Sequence, residues 1–167
     1  MKKIAIIAST DRGLQLGKVL QREFEKSVLV STRAKNELQA IEISSIAEFL
    51  KESYASFDAF IFIGALGICV RSIATYLDDK TTDPAVVNVD EMGRYTQVVV
   101  GGHVGGANDL CLKISKICGA EAVITTSTDL QQIWSLDTLG EKYNWHTVSN
   151  TSLNECISLF ANNKATA

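Results

Sequence analysis

Apolar residues along the chain fall into short runs and longer periodic stretches, and the two periods predict the elements. Lys2–Ala8 is an isoleucine-rich run of the kind that a strand buried on both faces carries. Ser9-Thr10-Asp11 offers helix caps, after which Leu14, Leu16, Val19, Leu20 and Phe24 recur at helical spacing. Val28-Leu29-Val30 reads as a second strand, while residues 34–43 are ambiguous, with room for a short strand ending near Ile41–Ile43. Ser44-Ser45 caps a helix whose apolar face is Ile46, Phe49, Leu50 and Tyr54, and Phe57–Ile63 is the next strand. Ala65–Ala74 is helical and apolar nearly all round, which predicts a buried helix. Pro84 disfavours a helical Asp83, so Lys80–Pro84 is expected to be extended. Ala85–Val89 and Tyr95–Val100 read as strands closed by Asp90–Arg94 as a hairpin, with Gly93 at positive φ. A helix over Leu110–Cys118 and a strand over Ala122–Thr125 follow. Short amphipathic helices are predicted near Leu136–Tyr143 and Leu153–Phe160, with a frayed tail over Ala161–Ala167.

Strands alternating with helices predict an α/β fold, a three-layer α/β/α arrangement around an open, mainly parallel sheet. The whole chain, 1–167, reads as one domain with its motifs in about 57–130. The compositional dip at 34–43 would set off an N-terminal subunit over 1–55. Ligands of such sheets sit outside the carboxyl ends of the strands, and Gly64, Gly101 and Thr125 each follow a predicted strand. All three loops are therefore expected on one rim.

Composition narrows the class. An apolar share of 46% with 21% charged residues suits a compact soluble globule of 167 residues. The apolar runs are too short to cross a bilayer, and the start of the chain lacks a cleavage pattern, so a cytoplasmic protein is expected. A net charge of −3 argues against nucleic acid as a general partner. The four cysteines, Cys69, Cys111, Cys118 and Cys156, share no C-x-x-C spacing and read as buried free thiols, and no histidine–carboxylate spacing marks a metal site.

The densest chemistry is Gly101-Gly102-His103-Val104-Gly105-Gly106-Ala107-Asn108-Asp109, a glycine-rich turn between a strand and a helix. Such a backbone can approach a ligand and aim N–H groups at it. It is neither a Walker loop nor a G-x-G-x-x-G fingerprint. His103 is its candidate for proton transfer, and Asn108 and Asp109 equally suit helix capping. Gly64-Ala65-Leu66-Gly67 serves either tight helix–strand packing or ligand approach. Arg71, in an apolar segment, calls for an anionic partner in the protein or on a ligand. Lys80-Thr81-Thr82-Asp83 reads from composition as a solvated loop. Thr125, Thr126 and Asp129 form a hydroxyl-rich strand end that either caps a helix or supplies donors. His146, beside Trp145, reads as incidental.

Taken in order, four motifs resemble the N-terminal region of the CbiG family, the cobalt-precorrin-5A hydrolases of anaerobic cobalamin synthesis. They are Gly64-Ala65-Leu66-Gly67-Ile68 with Val70-Arg71, Lys80-Thr81-Thr82-Asp83-Pro84-Ala85-Val86-Val87, Gly101 to Asn108, and Val123-Ile124-Thr125-Thr126 with Thr128-Asp129. Ser127 stands where the family pattern leads one to expect alanine. The resemblance implies a hydrolase that opens the δ-lactone of a cobalt corrin precursor with release of acetaldehyde, its cobalt belonging to the substrate and no cofactor of its own. It implies a substrate site built from Gly64, Gly67, Arg71, Lys80, Thr81, Thr82, Asp83, Gly101, Gly102, Gly105, Gly106, Asn108, Thr125, Thr126 and Asp129, with His103 as general base. Family members usually continue into a C-terminal domain, which becomes an expected partner along with other enzymes of the pathway. The competing readings are a corrinoid-binding module inactive on its own and a flavodoxin-like nucleotide or flavin binder, the latter resting on Ser9-Thr10-Asp11-Arg12-Gly13.

Overall fold

The computed structural model describes residues 2–35, 37–80, 82–131, 133, 136, 139–143, 145, 146, 148 and 152–162. Thr81 and the tail beyond Asn162 lie outside the described residues. The chain divides into two compact units, Met1–Val123 and Ile124–Ala167, each described by itself.

The first unit runs β1 (Ile4–Ala8), α1 (Asp11–Glu23), β2 (Ser27–Ser31), β3 (Ile41–Glu42), α2 (Ile46–Ser53), β4 (Ala59–Ile63), α3 (Leu66–Ile73), β5 (Ala85–Val89), β6 (Tyr95–Val100), α4 (Ala107–Cys118) and β7 (Glu121–Val123). One seven-stranded sheet holds every described strand in the order β3-β2-β1-β4-β5-β6-β7. Neighbouring strands are parallel except β5 and β6, which the hairpin makes antiparallel. Residues of β1, β4 and β5 are buried without exception, as strands covered on both faces must be. Helices cover both faces. Ala5, Ile7, Phe60, Phe62 and Val86 pack with Leu50 of α2 and Cys69 and Ile73 of α3. On the opposite face α1 and α4 lie side by side, with the Lys113 ammonium 4.3 Å over the Phe24 ring and bonded to the Glu23 carbonyl. The expected three-layer α/β/α fold is the one observed.

Local chemistry sets the boundaries. Thr10 Oγ1 accepts the Gly13 amide at 3.0 Å and Ser45 Oγ accepts the Glu48 amide at 3.1 Å, starting α1 and α2 where their caps predict. Gly93 turns the hairpin at φ 66°. The second unit holds α5 (Ser127–Leu130), α6 (Leu139–Tyr143) and α7 (Leu153–Ala161).

Four expectations need correction. Helix α3 is not buried all round: Cys69 and Ile73 face the core, but Leu66, Ile68 and Val70 are 39%, 42% and 45% exposed. An apolar sequence records what could be buried, and this single layer of sheet has only one side to offer the helix. Val19 of α1, at 45% exposed, lies off its helix's buried stripe for the same reason. The connection into Pro84 is a turn, with the Thr82 and Asp83 amides both bonded to the Asp79 carbonyl. Finally, because β6 runs against β5, Gly101 and Gly64 lie at opposite edges of the sheet. The expected common rim does not exist for these two loops.

Candidate functional site: a cleft at the amino edge of the parallel strands

Val100 pairs with Val86, so β6 ends at the edge where β1, β4 and β5 begin. The turn from Gly101 to Gly106 is delivered to that edge, beside Lys2 and Pro84. There a cleft of about 690 Å³ opens. Val104 and Gly105 form one wall with Lys2, and Thr82, Asp83 and Pro84 form another. Tyr54, Ala55, Phe57 and Tyr76, with Asp58 and Asp78, complete the lining.

The turn is shaped by its own packing. Gly101 adopts φ 72°, and a methyl there would meet the Pro84 carbonyl at 3.0 Å. A methyl on Gly105 would stand 2.6 Å from the Gly101 carbonyl oxygen. The amides of Gly106, Ala107 and Asn108 bond to the carbonyls of His103, Gly101 and Gly102, folding the turn onto the start of α4. None of these bonds uses the Val104 or Gly105 amide, and these two residues line the cleft. The Lys2 ammonium bonds to the Gly105 carbonyl, tying the start of β1 to the turn. His103 is half-buried within the same turn.

The opposite wall is aromatic. The Tyr54 ring lies between Phe60, stacked at 5.2 Å, and Tyr76, stacked at 4.9 Å, continuing the core out to the cleft. Its hydroxyl oxygen is buried and has no hydrogen-bond partner among the described residues. Burial, then the Asp83 carboxylate and the Cys69 thiol, push the Tyr54 phenol up to about 12. Burial alone pushes the Cys69 thiol up to about 12, so it is no nucleophile near neutral pH. The acidic side chains are anchored by backbone: Asp83 Oδ1 accepts the Asp78 amide at 3.0 Å and Asp58 Oδ2 accepts the Lys3 amide at 2.6 Å.

The structure therefore joins two of the motifs. Thr82 and Asp83 meet Gly105 across one cleft, with Gly101, Gly102, His103, Gly106 and Asn108 in the same turn. Lys80 is exposed in the adjoining loop and does not line the cleft. Gly64 and Gly67 start α3 at the opposite edge, and Arg71 is exposed beside Gly67, its guanidinium 3.5 Å from where a Gly67 methyl would sit. The arginine's surroundings are solvent rather than core, so burial does not demand a partner for it. Thr125, Thr126 and Asp129 belong to the second unit, where the Thr126 carbonyl accepts the Leu130 amide of α5. Sequence reasoning missed Lys2, Asp58, Tyr76 and Asp78 and read Tyr54 as a packing residue. The hydroxyl at the end of an otherwise apolar helical face was the available signal.

At the carboxyl edge, where ligands of such sheets usually bind, a crevice of about 10 Å³ lies around Ser9 and Gly64. Thr10 Oγ1 there donates to the Glu91 carboxylate at 2.8 Å, and a phosphate would meet that negative charge. Among the described residues no group of three or more His, Cys, Asp or Glu side chains is placed to hold a metal ion. No described helix is long and apolar enough to cross a membrane.

Comparison with known proteins adds a family. A cobalt-precorrin-5A hydrolase of Salmonella typhimurium is 36% identical over 143 residues, which cover 86% of this chain and 41% of that protein. One from Priestia megaterium is 35% identical over 147 residues, covering 84% of this chain and 39% of its own length. The chain thus spans about two fifths of the length of the curated relatives it matches. The crystal structure of a cobalamin biosynthesis protein G homolog from Sulfolobus solfataricus superposes with a TM-score of 0.58 at 23% identity, over 95% of this chain and 44% of that one, and shares its fold. Residues 48–129, which hold the aromatic wall, the Thr82–Pro84 segment and the glycine-rich turn, match the family described as Cobalamin synthesis G N-terminal. Through that segment, and with relatives alike over most of its length, this chain belongs to the Cobalamin synthesis G N-terminal family.

Proposed function

We propose that the chain binds a cobalt-corrinoid lactone at the amino-edge cleft and acts in its hydrolytic opening, the activity for which its relatives are named. The observation that carries this reading is the meeting of two motifs far apart in sequence, Thr82–Pro84 and Val104–Gly105, across one cleft of about 690 Å³. Hydrolysis of a lactone needs a base to activate water and donors where negative charge develops on the carbonyl oxygen. His103 is the base in this scheme, and the Val104 and Gly105 amides, unused by the turn's own bonds, are the donors. Cobalt arrives with the substrate, no further cofactor is needed, and the two-carbon fragment leaves as acetaldehyde. A cytoplasmic location fits this substrate and a pathway of small-molecule synthesis.

The test is to incubate the chain anaerobically with cobalt-precorrin-5A and follow both lactone opening and acetaldehyde. His103→Ala is expected to keep substrate binding and to lose turnover by at least ~100-fold, the usual contribution of a positioned base. Unchanged turnover in that variant would remove His103 from the scheme. The relatives are more than twice as long as the stretch they share with this chain, which favours one second reading: binding of the corrinoid here with chemistry completed by a further domain. Tight binding with no acetaldehyde would select it.

A further inference from the structure

Two cavities meet at Lys2. On one side of it lies the amino-edge cleft, and on the other a second cavity of about 370 Å³ opens beside the end of α1 and the start of β1. Its floor is apolar, with Ile4 6% and Phe24 7% exposed, and the exposed Lys2, Lys26 and Lys113 stand around it. Lys113 is fixed in place, its ammonium 4.3 Å over the Phe24 ring and donating to the Glu23 carbonyl at 3.2 Å. Lys2 gives the Gly105 carbonyl one of its three ammonium hydrogens, leaving the others for a ligand. The Lys26 ammonium has no partner among the described residues. Glu23 and Glu25 also line the cavity, so three ammonium groups against two carboxylates leave it a net positive charge.

The cleft itself is electrically lopsided. Asp78 and Asp83 stand together at the Thr82–Pro84 wall, the Asp83 carboxylate accepting the Asp78 amide. At the other wall Lys2 is joined by Lys3, whose ammonium lies 4.7 Å over the Phe57 ring, with Asp58 the one carboxylate beside it. A ligand with negative arms is therefore drawn toward Lys2 and away from Asp78 and Asp83, and beyond Lys2 the second cavity supplies the next cations. Resting on the corrinoid reading above, we infer that the cavity around Lys2, Lys26 and Lys113 is a carboxylate subsite, which takes acidic side arms of the corrinoid whose lactone occupies the cleft. A corrin precursor carries acetate and propionate arms around its ring, each a short apolar stem ending in a carboxylate. Ile4 and Phe24 suit the stem, and the ammonium groups suit the charged end as donors of charge-assisted hydrogen bonds. With its arms held on that side, the macrocycle enters the cleft in one orientation.

The experiment is an anaerobic stopped-flow absorbance titration of the chain with cobalt-precorrin-5A, read before the ring opens. Exposed ion pairs are individually weak, so Lys26→Gln should loosen binding about two- to fivefold and the charge reversal Lys26→Glu about tenfold. Lys26→Arg should keep the parent's affinity. Added salt should weaken the parent more than Lys26→Gln, because one screened attraction is already gone from the variant. Lys35→Glu makes the same change of charge in the exposed loop after β2, at the opposite edge of the sheet, and should bind as the parent does. Parent-like affinity in Lys26→Glu, an equal loss in Lys35→Glu, or the same salt dependence in Lys26→Gln and the parent each overturn the subsite and leave the corrinoid reading standing. Failure of the parent chain to bind cobalt-precorrin-5A overturns that reading and this inference with it.

Discussion

A methyl group on Gly105 would sit 2.6 Å from the Gly101 carbonyl oxygen, a backbone atom that cannot yield cheaply. Gly105→Ala is accordingly expected to cost about 2 kcal/mol in urea unfolding, as overpacking does. The sequence marked these glycines as unusual, and packing supplies one reason: at Gly101 and Gly105 the turn folds so closely on backbone that a side chain has no room. Cys69 and Tyr54 carry a second consequence. Folding raises the Cys69 thiol from 9.0 and the Tyr54 phenol from 10.0, each to about 12. Above pH 9 the unfolded chain ionises at these groups while the folded one does not, so stability, fully present below pH 9, falls until both forms ionise near 12. Cys69→Ala should flatten the lower part of that alkaline fall in denaturation measured across pH. Neither residue could be singled out from sequence, because the shift depends on what surrounds it in space.

Among elements, the β5–β6 hairpin decides most. The Asp90 carboxylate accepts the amides of Met92 and Arg94, each at 2.8 Å, and of Tyr95 at 2.6 Å. Asp90→Ala should therefore lower stability by about 1–3 kcal/mol, with amide exchange quickening first in β5 and β6. The hairpin and both of its strands are legible in the sequence to the residue. Their direct consequence, that Gly101 must emerge at the edge opposite Gly64, needed the chain to be followed one strand further. Helix α3 shows the other limit. Its apolar letters cannot say which side meets a partner, so Ile68→Glu on the open side should change stability by no more than ~0.5 kcal/mol. Ile73→Ala, at a side chain 1% exposed, should cost about 2–5 kcal/mol.

Among the described residues of the whole molecule, every strand of the sheet lies in Met1–Val123. A fragment ending at Val123 should fold by itself, with one cooperative thermal transition by circular dichroism; a gradual melt would show that it needs the remainder. Alternation of strands and helices made the layered sheet readable, whereas the position of the cleft depended on a strand reversal and on contacts across the edge. One such contact reaches further than binding. The Lys2 ammonium holds the Gly105 carbonyl and lines the cleft, so a group attached to the Lys2 side chain would stand at its mouth. A bulky group there would crowd the entrance, while an environment-sensitive fluorophore at the same point would act as a built-in gauge of occupancy, its emission shifting as the cleft fills.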